Sequence, residues 1–156
     1  MARIGYGVDF HRFAKKRKLI LGGVDIPFEK GLEGHSDADV LTHSVCDALL
    51  GAACLGDIGE HFPDTDPRYK DISSLILLKD VSKKVRDMGY HIINIDVTMI
   101  LQEPKIQTFK PSIKKNLQEA TGCDAVNVKA TTPERLDSVG KGKGAACRTV
   151  ALFLTH

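Results

Sequence analysis

The alternation of Ile93, Ile95, Val97, Met99 and Leu101 with Asn94, Asp96 and Thr98 constrains this chain more than any other stretch. Successive side chains of a strand point to opposite faces, so a sustained period of two describes a half-buried strand and excludes a helix. The apolar face must lie on a core. The polar face either meets water or meets another subunit. A chain of 156 residues has bulk enough to build that core within one domain, expected to span residues 1–156.

The remaining elements supply it. Arg3 to Val8 reads as a first strand, followed by a basic loop with Lys15-Lys16-Arg17-Lys18. Two short apolar runs about Gly22-Gly23, from Leu19 to Pro27, read as a hairpin. Gly31 to His35 is a flexible connection into Ser36-Asp37-Ala38-Asp39, an acidic form of the capping signal. Leu41, Val45, Ala48, Leu49 and Ala52 then recur at helical spacing, past Gly51, and Gly56-Asp57-Ile58-Gly59 closes the helix. Ser73 or Ser74 caps a second helix with Ile76, Leu77, Val81, Val85 and Met88 on its buried side and Gly89 as its stop. A third helix covers Pro111 to Ala120, with Gly122 past its end. Val126 to Ala130 and Ala145 to Leu154 are strands. The order predicts an α/β (α+β) fold: a mixed four-stranded sheet with helices on one face, plus a small hairpin.

Composition removes several function classes. A formal charge of +2 without a dense Lys/Arg block argues against nucleic acid as a partner. No apolar stretch is long enough to span a bilayer and no signal pattern follows Met1, so no membrane association is expected. The four cysteines form no C-x-x-C pair, and Cys46 and Cys54 read as buried thiols of a reducing cytosol. The expected location is cytoplasmic.

Chemistry gathers first at Asp9-Phe10-His11. In extended backbone a carboxylate and an imidazole two residues apart leave the same face, which is two-thirds of a catalytic zinc site. His43, with Asp47 one helical turn later to orient its ring, is the candidate third ligand. The plainer alternative has Asp9 capping a turn and His11 in an ordinary loop. Thr131-Thr132-Pro133-Glu134 follows a strand; Thr132 as N-cap and Pro133 at N1 would open a helical turn whose free N–H groups attract anions. Glu134 there either serves the helix dipole or holds a hard cation such as Mg²⁺. Asp57-Ile58-Gly59 with Phe62-Pro63-Asp64-Thr65-Asp66 either binds ligand hydroxyls or is ordinary turn chemistry. Gly140-Lys141-Gly142-Lys143-Gly144 fits neither a P-loop nor a dinucleotide fingerprint and reads as a loop before the last strand.

Taken together, in order, these motifs resemble the 2-C-methyl-D-erythritol 2,4-cyclodiphosphate synthase family. The resemblance runs from Ile4-Gly5 and Asp9-Phe10-His11 through Leu21-Gly22-Gly23, Gly34-His35-Ser36-Asp37-Ala38-Asp39, His43 and Asp47-Ala48-Leu49-Leu50-Gly51-Ala52. It continues through Leu55-Gly56-Asp57-Ile58-Gly59, Phe62-Pro63-Asp64-Thr65-Asp66, Asn94-Ile95-Asp96-Val97-Thr98 and Pro104-Lys105 to Val126-Asn127-Val128-Lys129-Ala130-Thr131-Thr132 and Glu134. The chain length is similar to the single-function form of that family, not to its fusion with a cytidylyltransferase.

The resemblance implies a reaction and its residues. The 2-phosphate of 4-diphosphocytidyl-2-C-methyl-D-erythritol 2-phosphate attacks the nearer diphosphate phosphorus, closing 2-C-methyl-D-erythritol 2,4-cyclodiphosphate and releasing CMP in non-mevalonate isoprenoid biosynthesis, a phosphorus–oxygen lyase activity. Asp9, His11 and His43 would hold Zn²⁺, or another divalent transition metal, and Glu134 a Mg²⁺ or Mn²⁺ shared with the diphosphate. His35 and Thr132 would orient phosphates and stabilise the transition state, with His35-Ser36 on a mobile loop. Asp57, Ile58, Gly59, Phe62, Pro63, Asp64, Thr65 and Asp66 would line the methylerythritol and ribose region, and Phe10 and Ser36 would also contact substrate. Leu101, Gln102, Glu103, Pro104, Lys105, Ile106 and Gln107 would form the cytosine and phosphate pocket, with Thr131, Pro133 and Lys141 also contacting substrate. The family's homotrimers place each site between subunits.

Val8, Ser138, Lys141, Lys143 and Arg148 depart from residues that, in relatives, line a trimer-axis cavity for an isoprenoid diphosphate. The departures weigh against that ligand and leave a smaller, more highly charged anion as an alternative. Two rival functions share the same residues: a zinc-dependent phosphoester hydrolase using activated water, and a non-catalytic trimeric scaffold with a structural metal.

Overall fold

The computed structural model describes residues 1–155. Its seven strands are β1 (Ala2–Lys15), β2 (Leu19–Leu21), β3 (Val24–Ile26), β4 (Lys30–Leu32), β5 (Tyr90–Ile100), β6 (Val126–Thr131) and β7 (Gly144–Thr155). Its helices are α1 (Val40–Ala52), α2 (Ile58–His61), α3 (Ser74–Asp87), α4 (Lys110–Thr121) and α5 (Asp137–Gly140). The main sheet is mixed, in the order β4-β1-β7-β5-β6, with only β5 and β6 parallel; β2 and β3 form the separate hairpin.

The sheet has five strands, not the expected four. Strand β1 does not stop at Val8 but runs to Lys15, and its far end pairs Phe13–Lys15 with β4. Three residues around Gly31 carry no readable alternation; β4 exists because β1 offers it a ladder. Helix α1 packs on β1 and β7, α3 on α1 and β5, and α4 on α3 and β6. One cluster of buried side chains, from Leu19 to Phe153, joins them.

The cap of α1 is Asp39, not Ser36. Its Oδ1 accepts from Thr42 N at 2.9 Å and Gly22 N at 3.0 Å, and its Oδ2 from Gly23 N at 2.8 Å and Thr42 Oγ1 at 2.7 Å. One buried carboxyl thus caps the helix and holds the hairpin turn. Burial, and next the charge of Asp37, push its pKa up, while the donors on Thr42 and Gly23 work against that rise. Helix α1 ends at Ala52, before the Gly56–Gly59 stretch; Asp57 instead caps α2, accepting from Glu60 N at 3.0 Å. Helix α3 is capped from outside, by Asp37 accepting from Ser74 N at 3.0 Å.

Three burial expectations fail for local reasons. Ile76 and Met88 are 56 % and 48 % exposed, because the buried stripe of α3 is Leu77, Leu78, Val81 and Val85. Ile93 is exposed although Ile95, Val97 and Met99 are fully buried: a register shift between Ile92 and Asn94 lifts it off the alternation. Cys54 is exposed in the left-handed turn after α1, whereas Cys46 is buried. Gly122 ends α4 in the left-handed region as expected.

Two glycines set the distance between α1 and β1. A Cβ on Gly5 would run into the Ala48 carbonyl oxygen, and one on Gly7 into that of Ser44. The helix therefore lies directly on the strand backbone. Ser44 Oγ reinforces the contact, lying 3.2 Å from Gly7 O, which can only accept, and 2.8 Å from the Thr149 hydroxyl. No helix among the described residues is long and apolar enough to cross a membrane.

Candidate metal centre and its cavity

The period of two in β1 puts Gly5, Gly7, Asp9 and His11 on one face, toward the helices. Because Gly7 lets Ser44 touch the strand, its neighbour His43 is brought over Asp9 and His11. Asp9 Oδ2 lies 2.9 Å from His11 Nε2 and 3.2 Å from His43 Nδ1, and those two ring nitrogens are 3.2 Å apart. Four-coordinate zinc with bonds of about 2.0 Å has ligand–ligand edges of about 3.3 Å. One carboxylate oxygen and two imidazole nitrogens thus form one face of a tetrahedron of the right size and chemistry, and these are the three residues that meet as a metal-binding group among the described residues. A divalent cation fits.

The electrostatics agree. Burial raises the Asp9 pKa, but hydrogen bonds and charge from His11 and His43 outweigh it and bring it to about 2. Burial lowers that of His11, but Asp9 outweighs it and the net shift is upward. Asp9 therefore favours a proton on His11 in the metal-free protein. The Asp9 contribution to stability is present above the unfolded value of 3.8 and is lost as pH falls toward about 2. The His11 contribution is present below 6.5 and is lost as pH rises through its raised folded value. We expect the stability difference between metal-free wild type and Asp9→Asn to peak between pH 3.8 and 6.5, read by urea denaturation. A difference that keeps growing above that window would contradict the pairing. Metal binding must release the His11 proton, so affinity should rise with pH.

The ring orientations are set by other residues than expected. His11 Nδ1 lies 2.7 Å from the Glu33 carbonyl oxygen. Asp47, expected to orient His43, instead accepts from Ile58 N at 2.8 Å, and burial pushes its carboxyl up. His43 Nε2 faces Ser74 Oγ at 2.8 Å and Ser36 Oγ at 3.2 Å. Ser74 Oγ in turn donates to Asp37 Oδ1 at 2.5 Å. Sequence reading saw Ser74 only as a helix cap, and Glu33, acting through its carbonyl, carries no side-chain signal at all.

Asp9 and His43 open onto a cavity of about 190 Å³ with His35, Ser36, Ile58, Gly59, Phe62, Asp64, Tyr69 and Leu77. Of the stretches 57–59 and 62–66, Ile58, Gly59, Phe62 and Asp64 line this cavity, and Asp57, Pro63, Thr65 and Asp66 do not. Tyr69 and Leu77 were not foreseen. The His35-Ser36 segment is tied on both sides: His35 Nε2 lies 3.0 Å from Asp66 O, Asp71 N donates to His35 O at 2.9 Å, and Arg17 Nη2 donates to Ser36 O at 3.1 Å.

The other expected site residues lie elsewhere. Leu101, Pro104, Lys105, Ile106, Gln107, Thr131 and Thr132 line a second cavity, of about 130 Å³, that shares no residue with the first. No helix begins at Thr132. Glu134 and Arg135 sit in the left-handed region (φ 55° and 60°), in a turn where Thr132 Oγ1 donates to Glu134 Oε1 at 3.3 Å, and the next helix, α5, starts only at Asp137. Glu134 is exposed and outside the metal group. Gln102, Glu103 and Lys141 line a third cavity with Arg135. Phe10 and Lys141 line a fourth, with Ser138 and Lys143, while Arg148 lies opposite Val8 on the neighbouring strand.

Comparison with known proteins fits this arrangement. Residues 2–154 match the model of the YgbB family. A 2-C-methyl-D-erythritol 2,4-cyclodiphosphate synthase of Desulfosudis oleivorans is 56 % identical over 154 residues, covering 97 % of this chain and 92 % of that one. The bifunctional IspDF of Campylobacter jejuni superposes with a TM-score of 0.96 at 43 % identity, over 100 % of this chain but 43 % of the longer one. The CDP complex of IspF from Plasmodium falciparum gives 0.86 at 33 % identity, over 99 % and 96 %. With a family match across nearly its whole length and relatives this similar, the chain belongs to the YgbB family, that of the 2-C-methyl-D-erythritol 2,4-cyclodiphosphate synthases.

Proposed function

We propose that the chain, as one cyclodiphosphate synthase domain, converts 4-diphosphocytidyl-2-C-methyl-D-erythritol 2-phosphate to 2-C-methyl-D-erythritol 2,4-cyclodiphosphate and CMP, in isoprenoid biosynthesis in the cytoplasm. The observation that carries this is the meeting of Asp9, His11 and His43, two of which, Asp9 and His43, line a cavity with Ile58, Gly59, Phe62 and Asp64. The nucleophile belongs to the substrate: a 2-phosphate oxygen bonds to the nearer diphosphate phosphorus as the bond to the CMP oxygen breaks. The obstacles are anion repulsion and ring-closure entropy, so placement and charge stabilisation supply most of the catalysis.

Asp9, His11 and His43 would hold Zn²⁺, and Glu134 with the diphosphate Mg²⁺ or Mn²⁺; such ions supply Lewis-acid charge neutralisation. His35 and Thr132 hold the phosphate oxygens. Asp57 and Asp64 present carboxylates to the methylerythritol and ribose hydroxyls. The segment 101–107 receives the cytosine. CMP release on adding this substrate, with and without divalent ions, tests the reading. Solvent ¹⁸O in the product would instead mark a hydrolase, for which the relatives offer no support.

We further propose a homotrimer with each active site shared between neighbours. The metal cavity and the 101–107 cavity hold about 190 and 130 Å³ and share no residue, and each is below the roughly 300 Å³ of a usual ligand pocket. The sheet face away from the helices exposes Ile4, Tyr6, Phe10, Val150 and Leu154, a surface a subunit would cover. Tyr6→Asp should yield monomers by light scattering and reduce turnover at least about tenfold; an active monomer would refute the shared site.

A further inference from the structure

We propose that Ser74 and Asp37 are positioning residues that fix the tautomer of His43, so that its Nδ1 lone pair is presented to the cation before any cation arrives. This inference rests on the reading of Asp9, His11 and His43 as a metal centre.

The hydrogen bonds leave one consistent assignment. Ser74 has a single hydroxyl proton. Asp37 Oδ1 is its nearer partner at 2.5 Å and is a carboxylate oxygen, so the proton goes there. The Ser74 oxygen is then left to accept, and its neighbour at 2.8 Å is His43 Nε2. In the neutral ring that nitrogen carries the proton and Nδ1 bears the lone pair, 3.2 Å from Asp9 Oδ2 and from His11 Nε2; Nδ1 donates to Asp9 only in the doubly protonated ring. Ser36 Oγ, a longer 3.2 Å from Nε2, accepts from Ala38 N at 3.3 Å and can take only a lesser share.

The support behind Ser74 is rigid. Asp37 Oδ2 accepts from Ser74 N at 3.0 Å, its Oδ1 also accepts from Asp39 N at 3.2 Å, and its own N–H donates to Ile72 O at 3.1 Å. Ser74 itself is fully buried. The carboxylate is therefore held by the backbone at both the start of α1 and the start of α3, and it passes that order through one hydroxyl to the ring. His11 is ordered in the same sense by a carbonyl: Glu33 O takes the Nδ1 proton and leaves Nε2 facing the site. A carboxylate–hydroxyl–imidazole chain raises ligand basicity as well as fixing the ring plane.

The test uses the purified full chain, stripped of metal and titrated with Zn²⁺ against a chelator of known affinity near neutral pH. Long-range ¹H–¹⁵N ring spectra of the metal-free protein report the His43 tautomer. Wild type should show the Nε2–H form. Ser74→Ala should lose that preference and bind Zn²⁺ roughly 10–100-fold more weakly, with Asp37→Asn in between. Thermal melts separate a fold defect, since affinity lost only in proportion to unfolded chain would overturn the proposal. So would an unchanged tautomer, or affinity within about twofold of wild type in both variants. Failure of wild type itself to bind Zn²⁺ would overturn the metal centre and this inference together, whereas equal binding by wild type and Ser74→Ala overturns this inference alone.

Discussion

Replacing His43 with alanine should leave a folded protein that holds Zn²⁺ poorly and releases CMP at least about 10³-fold more slowly, a loss of about 4 kcal/mol of transition-state stabilisation. His43 closes the donor set with Asp9 and His11, and no other His, Cys, Asp or Glu among the described residues comes close enough to replace it in that group. Two remaining ligands cannot neutralise and place converging phosphates. The side chain is mostly buried but sits at the cavity wall, with polar partners in Ser36 and Ser74 rather than a tight apolar socket. Its removal should therefore cost much more in turnover than in folding. Bound metal by elemental analysis, CMP release and a thermal melt decide the matter together. Full turnover in a metal-replete His43→Ala protein would place the chemistry elsewhere. Collapse of the fold with metal loss would instead favour the structural-metal scaffold.

Gly7→Ala should be the most damaging conservative change outside the metal ligands. The new methyl would collide with the backbone carbonyl of Ser44 and the Ala48 amide, and backbone cannot rotate aside as a side chain can. Helix α1 must lift off β1. We expect a cost of about 3 kcal/mol, hence a melting temperature lower by roughly 6–12 °C. Zn²⁺ affinity should fall as well, because the lift draws His43 away from Asp9 and His11. Gly51→Ala is the control: nothing lies near its added methyl, and a glycine in the last turn of α1 replaced by alanine should be neutral or stabilise by at most about 0.5–1 kcal/mol. Equal stability of Gly7→Ala and wild type would show that the close approach of α1 is not what positions His43.

The two substitutions differ in how far they were legible. That Asp9 and His11 share a face follows from strand periodicity alone, since alternate side chains of an extended chain project together whatever surrounds them. The same holds for the hairpin about Gly22-Gly23 and for the strand Tyr90–Ile100 from Asn94 onward, past the register shift at Ile93. Gly7 carries no comparable signal. Its meaning depends on which helix crosses it, and that is a long-range fact.

Other misses have the same origin. Ser74 and Asp37 are far apart in sequence and come together because α3 starts beside the turn that leads into α1. Asp47 had the right spacing to reach His43 but was claimed by the amide of Ile58. A three-residue strand such as β4 has no pattern of its own and is defined by its partner. Glu134 was expected in a helical turn, yet its chain bends through the left-handed region instead. By itself, then, the sequence determined the types of the longer elements, the facing of Asp9 and His11, and, through its ordered motifs, the family. Only the tertiary structure decided how closely α1 approaches β1, which groups hold the ligand rings, and that the two halves of the proposed site lie apart within one chain. Periodicity is local, whereas contact between distant residues is settled by packing and by competition for hydrogen-bond partners.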